Sequence, residues 1–317
     1  MRMKRGLLRS TRRWFASSTA SAATATLVTI PFSHYSELAR WGLDASGYAY
    51  VERASMPGFH ILTVMSATGS WKPAVRARAG SPWAVPMLVL PDGVVVRDSH
   101  EIAKLATRSS SLYPDRVCDA IDEDLHYFHD RVGTISRRFA YYHLFSNLDA
   151  AQFADIATVN GAPSWQIALL GNEMAFSRVR AYISRGLGVN KERAARGEEY
   201  ITAELDAVAA RLEKSGCAYL YGDTPTLADL SFASLMAPAL GISTTDRDGR
   251  SRMPPAEALG PEYAQKAASW REHPAGRFVE ALLARRYDID ACEDVHATQR
   301  RAVTTANCKG ESVKEIE

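Results

Sequence analysis

Ser33 and Ser36 stand three residues apart in Pro-Phe-Ser-His-Tyr-Ser (31–36), where a short apolar run hands over to an amphipathic one. A hydroxyl at such a junction caps a helix by accepting from its free first-turn amides. Those amides, together with the helix dipole, also favour an anion nearby. Asp98-Ser99 forms a second pair of this kind, ahead of Ile102 and Leu105. His126-x-x-His129, with Asp130 beside it, would put two imidazoles on one helical face, the beginning of a metal site. No third ligand follows at helical spacing, and no metal is expected. Cys118, Cys217, Cys292 and Cys308 contain no Cys-x-x-Cys and no metal-ligand spacing, so neither a zinc site nor a disulfide framework is expected. Ser-Arg-Arg-Phe-Ala-Tyr-Tyr-His-Leu-Phe (136–145) gathers Arg137, Arg138, Tyr141, Tyr142 and His143 on a predicted helix. Phe139, Tyr142 and Phe145 read there as partly core, with the arginines facing solvent or another domain.

The elements that must position these residues follow from periodicity and punctuation. Residues 27–30 read as a short buried strand. Residues 36–46 place Leu38, Trp41 and Ala45, with Leu43 alongside, on the stripe of a helix packed on a sheet, and Gly47 stops it. Residues 49–53 alternate as a second strand, which a right-handed crossover makes parallel to the first. Residues 58–82, with Gly, Pro and scattered basic side chains, read as loop and a poorly formed helix. Runs at 87–90 and 94–97, joined by Pro91-Asp92-Gly93, form a hairpin. Strand-helix-strand, loop, hairpin, helix is the order of a thioredoxin-like domain. Beyond the polar linker 107–115 the pattern is helical. Ile201, Leu205, Val208 and Leu212 mark one buried face within 193–214, and Thr226 with Asp229 forms a capping box ahead of an apolar helix.

The predicted architecture is an α/β thioredoxin-like N-terminal domain over 27–112 followed by an all-α C-terminal domain over 113–290. A leader occupies 1–26, and the polar, aperiodic stretch 291–317 reads as a disordered tail. At 317 residues the chain has room for two domains with a core each. No apolar run approaches the roughly 20 residues that cross a bilayer, and a net charge of +2 supplies no global basic field for nucleic acid. Every charge before Glu37 is basic: Arg2, Lys4, Arg5, Arg9, Arg12 and Arg13. Without those six the chain carries 32 basic and 36 acidic side chains. An acid-free leader rich in Arg and Ser has the composition of an organelle transit peptide. The expected address is mitochondrial, with cleavage near Phe15; plastid and cytoplasm are the alternatives.

Together these residues resemble the glutathione S-transferase family, over nearly all of 27–287. Pro-Phe-Ser-His-Tyr-Ser-Glu-Leu-Ala-Arg-Trp-Gly-Leu-Asp is similar to the family's active-site strand-turn-helix, Val85-Pro86 falls at its cis-proline, Asp98-Ser99 at its glutamyl-binding pair, and Thr226 with Asp229 on its buried capping box. The resemblance implies glutathione as co-substrate, with Ser33 donating a hydrogen bond to the thiolate at a helix N-terminus. A free thiol has a pKa near 8.5, and each unit of depression needs about 1.4 kcal/mol. It further implies that Val85, held by Pro86, pairs with the cysteinyl residue, that Ser99 and Asp98 hold the γ-glutamyl carboxylate and ammonium, and that Lys72 is a candidate for the glycyl carboxylate. Tyr141 or His143 would touch an apolar electrophile. A closely similar subgroup has Cys where this chain has Ser36; with serine at both positions, dithiol exchange is excluded. The implied activity is glutathione conjugation in detoxification. The alternatives are a non-catalytic ligand-binding or interaction module of the same family and, third, a glutathione-dependent reductase or peroxidase. Family members commonly pair as homodimers.

Overall fold

The computed structural model describes residues 24–70, 81–159, 162–244 and 251–289. Lys72, the leader up to residue 23 and the tail beyond 289 lie outside the described residues. The chain opens with a four-stranded sheet ordered β2-β1-β3-β4, built from β1 (Ala25–Thr29), β2 (Tyr50–Ala54), β3 (Met87–Val89) and β4 (Val95–Arg97). β1 and β2 run parallel, and the other two pairs antiparallel. β1 starts two residues ahead of the predicted strand. β3 and β4 are shorter than the predicted runs because Leu90 and Val94 leave the ladder to close the hairpin: the Leu90 amide donates to the Val94 carbonyl at 2.8 Å and Gly93 turns at φ 84°.

Between β1 and β2 lies α1 (His34–Ala45). It begins earlier than predicted because Ser33 takes the N-cap. Its packing also differs from the predicted helix on a sheet. Ala39 and Leu43 do join Ala25, Leu27, Leu88 and Ile102 against the sheet, but Leu38, Trp41 and Ala45 belong to the core of the helical domain, together with Tyr35. Both faces are therefore buried, so the helix is apolar over more of its circumference than one stripe. The stretch after β2 holds a regular helix, α2 (His60–Thr68), ended by Gly69 in the left-handed region. α3 (Ser99–Thr107) follows β4 and lies so close to α1 that a Cβ on Gly42 would come within 2.6 Å of the Ala103 backbone.

The remaining helices are α4 (Cys118–Tyr127), α5 (Gly133–Asn147), α6 (Ala150–Val159), α7 (Ser164–Leu170), α8 (Glu173–Leu187), α9 (Lys191–Ser215), α10 (Leu227–Leu240), α11 (Pro261–Glu272) and α12 (Pro274–Ala284). α4 runs into α5 through a π-helical segment, Phe128–Val132. α9 presents Ile201, Leu205 and Val208 inward as its spacing predicts, between an Asn190 cap and Gly216. Every residue of α10 is buried, and the capping box is present. The Asp229 carboxylate accepts from the amides of Leu220 and Thr226, at 2.8 and 2.7 Å, and from the Thr226 hydroxyl. Burial raises its pKa, while these donors pull it back. No helix among the described residues is long and apolar enough to cross a membrane.

Candidate functional site

The sheet register assembles the site. Val28 pairs with Met87 and Met87 with Arg97. One step further along those rows come Thr29, Pro86 and Asp98, so the end of β1, the entry to β3 and the exit from β4 lie abreast. The Val85-Pro86 peptide is cis. Arg97, almost fully buried, donates to the carbonyls of Ser81 and Pro82 and fixes the loop leading into it. Asp98 takes φ 65° and ψ 137°, the one described non-glycine residue with positive φ. Such backbone conformations cost about 1–3 kcal/mol and cluster where a side chain must be aimed. Ser99 opens α3 fully buried, and its hydroxyl has no partner among the described residues.

Ser33 closes the same end of the sheet. Its amide donates to the Ile30 carbonyl at 3.0 Å, and its Oγ lies 3.4 Å from the Ser36 amide, a long capping bond. An oxygen that accepts in this way keeps its own hydrogen to donate. Ser36 is fully buried one turn in, its hydroxyl also unpartnered. The cleft beside Ser33 is lined by Pro31, Phe32, His34 and Glu37 on one side and by Ser234, Ala237 and Pro238 of α10 on the other.

Several groups around this cleft are not legible as partners in the sequence. His34 Nε2 lies 2.9 Å from the Gly133 carbonyl, which can only accept, so Nε2 carries the proton. Burial, then Arg137, lowers the His34 pKa to about 3, and the imidazole is neutral. Glu37 is buried beneath Ser33. Burial opposes its ionisation, but Arg286, Arg40 and Arg252 outweigh it and hold the carboxyl at about 2. Arg286 reaches Glu37 and Asp44 at 2.8 Å each, and Arg40 bonds Glu37, Glu52 and the Pro31 carbonyl. The spacing of Glu37 and Arg40 is visible in the sequence, but no local signal points to Arg286.

Of the predicted electrophile contacts, Tyr141 is brought near. Its ring stacks on Phe145 and meets the edge of Phe32, the cleft residue, with centroids 6.5 Å apart. Burial pushes its phenol up to about 12. His143 is not brought there. Two residues on, it points to another side of α5 and packs against Phe139 and Tyr263 inside the helical domain, where burial lowers its pKa. His126 and His129 gain an unforeseen neighbour in His100 of α3, the rings meeting edge to face at 4.9 and 4.8 Å. No group of three or more His, Cys, Asp or Glu among the described residues could hold a metal ion.

Neither a family model nor a curated protein matches the chain. Solved structures do. A glutathione S-transferase of Ceriporiopsis subvermispora, in complex with glutathione, superposes with a TM-score of 0.54 at 15% identity, covering 86% of this chain and all of that one. A glutathione transferase from Phanerochaete chrysosporium gives 0.51 at 19% identity, covering 83% of this chain and 98% of that one. The chain has the glutathione S-transferase fold. Within that fold Ser33, cis Val85-Pro86 and Asp98-Ser99 share one end of the sheet. At these identities the likeness is one of architecture.

Proposed function

We propose that this chain is a glutathione transferase that conjugates the thiol of glutathione to an apolar electrophile. The observation that carries the reading is the Asp98-Ser99 pair: a strained residue followed by a buried hydroxyl with no partner, beside a cis Val85-Pro86 peptide and the N-terminus of α1. A buried polar group left unpaired costs free energy, which a ligand's polar end would recover. Ser99 and the first amides of α3 suit a carboxylate and Asp98 an ammonium, while Val85 offers its main chain to an extended peptide. Glutathione would supply the nucleophilic sulfur. Ser33 would donate its free hydrogen to the thiolate, and the α1 N-terminus would add roughly 0.3–1 kcal/mol in favour of the anion. Phe32 and Tyr141 form the apolar side from which an electrophile would approach. The acid-free leader supports import into mitochondria, which a fusion of residues 1–26 to a fluorescent protein would test.

Calorimetric titration with glutathione, followed by a chromogenic aryl-halide conjugation assay on the same sample, tests the reading. Binding with turnover is expected, and Ser33→Ala should cut turnover by roughly tenfold or more while largely sparing affinity. Absence of binding would overturn it. Binding without turnover, with no effect of Ser33→Ala, would instead mark a glutathione-binding module without catalysis.

A further inference from the structure

α7 and α8 follow one another across Gly171-Asn172 on the helical domain. α8 turns Phe176 and Ile183 inward. On the opposite face, at spacings of four, eight and eleven from Met174, stand Arg178, Tyr182 and Arg185, a single stripe of large apolar and cationic side chains in alternation. Met174 and Tyr182 are 62% and 60% exposed. On α7, Trp165 and Leu169, one turn apart, are 54% and 46% exposed, although tryptophan is as a rule among the most covered side chains. Trp165 is steadied by the edge of Phe59 at 5.1 Å. α7 carries no charge, and the one acid of α8, Glu173, accepts from the Ala150 amide. Arg178 and Arg185 make no ion pair among the described residues, so the stripe is cationic without compensation.

We infer that the outward stripe of α8, with the exposed Trp165 and Leu169 of the adjoining α7, docks on an anionic lipid surface. Protein interfaces also gather Trp, Tyr, Met and Arg, but Arg178 and Arg185 have no acid paired with them among the described residues, which favours a surface that is anionic throughout over one of mixed charge. Here guanidinium and apolar groups alternate at every turn along the same line. That arrangement suits the headgroup zone of a bilayer, where apolar side chains enter the acyl boundary at the depth at which arginines meet lipid phosphates. Tryptophan and tyrosine are the side chains that prefer this zone. Aliphatic Leu169 and Met174 would gain nothing against a nucleic-acid backbone.

The test is flotation of the full chain with vesicles of phosphatidylcholine alone and of equimolar phosphatidylcholine and phosphatidylglycerol. The double variants Trp165→Ser/Met174→Ser and Arg178→Glu/Arg185→Glu change exposed residues only, and unaltered circular dichroism would confirm that they fold. Binding to the mixed vesicles alone is expected, released by salt and weakened roughly tenfold or more in each double variant. Three results would overturn the inference: no flotation, flotation unchanged in both variants and so due to the basic leader, or sedimentation showing that the variants abolish self-association instead.

Discussion

Ser99 and Asp98 carry opposite burdens, and replacing each separates folding from binding. The Ser99 hydroxyl has no partner among the described residues, so Ser99→Ala should leave the urea midpoint within about 0.5 kcal/mol of the parent. Its glutathione dissociation constant should rise about tenfold or more, as expected for a lost hydrogen bond to a charged group. Asp98→Gly relieves a backbone that glycine adopts freely. It should raise the melting temperature, by the equivalent of about 1 kcal/mol, while weakening glutathione binding. A variant less stable than the parent would show that the Asp98 side chain holds the turn. The residue types at these positions are plain in the sequence. The positive φ and the solitary hydroxyl are not, because both depend on how β4 hands over to α3.

Among the elements, the π-helical segment between α4 and α5 has the widest reach. A π turn diverts carbonyls from the regular ladder: that of His129, within it, accepts from the Tyr35 hydroxyl, and that of Gly133, which caps it, accepts from the His34 ring. A Cβ at Gly133 would lie 2.7 Å from the Tyr35 oxygen, which that bond pins. Gly133→Ala should therefore cost about 1–3 kcal/mol in urea denaturation. His34 sets a pH dependence of known sign. Unfolded, it binds a proton near pH 6.5; folded, not until about 3. The unfolded chain thus holds more protons in that window, and stability falls as pH drops through it, at up to about 1.4 kcal/mol per unit for this group. Urea midpoints from pH 7 to 5 should show the slope, and His34→Gln should lessen it, leaving the part that His60 and His143 contribute in the same direction. The hairpin and the capping box could be read in advance because their signals are local: Pro91-Asp92-Gly93 in one case, Thr226 and Asp229 in the other. The π turn could not, since its partners lie 99 and 94 residues away. For the same reason the sequence cannot choose between Tyr141 and His143: helical spacing alone does not say which side of α5 faces α1.

Across the whole molecule, Arg286 ties the end of the helical domain to α1 of the sheet domain, 249 residues away in sequence from Glu37. It lies over the Trp41 ring, 5.3 Å from its centroid, with its charge met by Glu37 and Asp44. Arg286→Ala would leave buried Glu37 with Arg40 at 3.0 Å and the more distant Arg252 at 3.9 Å, and should cost up to about 3–5 kcal/mol. In the parent, Glu37 loses its contribution only as pH falls from about 4.5 towards about 2, below most of the His34 window. The order of synthesis gives the two-faced burial of α1 a further meaning. Tyr35, Leu38 and Trp41 leave the ribosome long before α10, against which that face packs. Until residue 240 has emerged, the sheet domain carries an uncovered apolar face and is open to misassociation. Expressed alone, residues 24–112 should aggregate, and the nascent chain should need shielding until its last helices arrive.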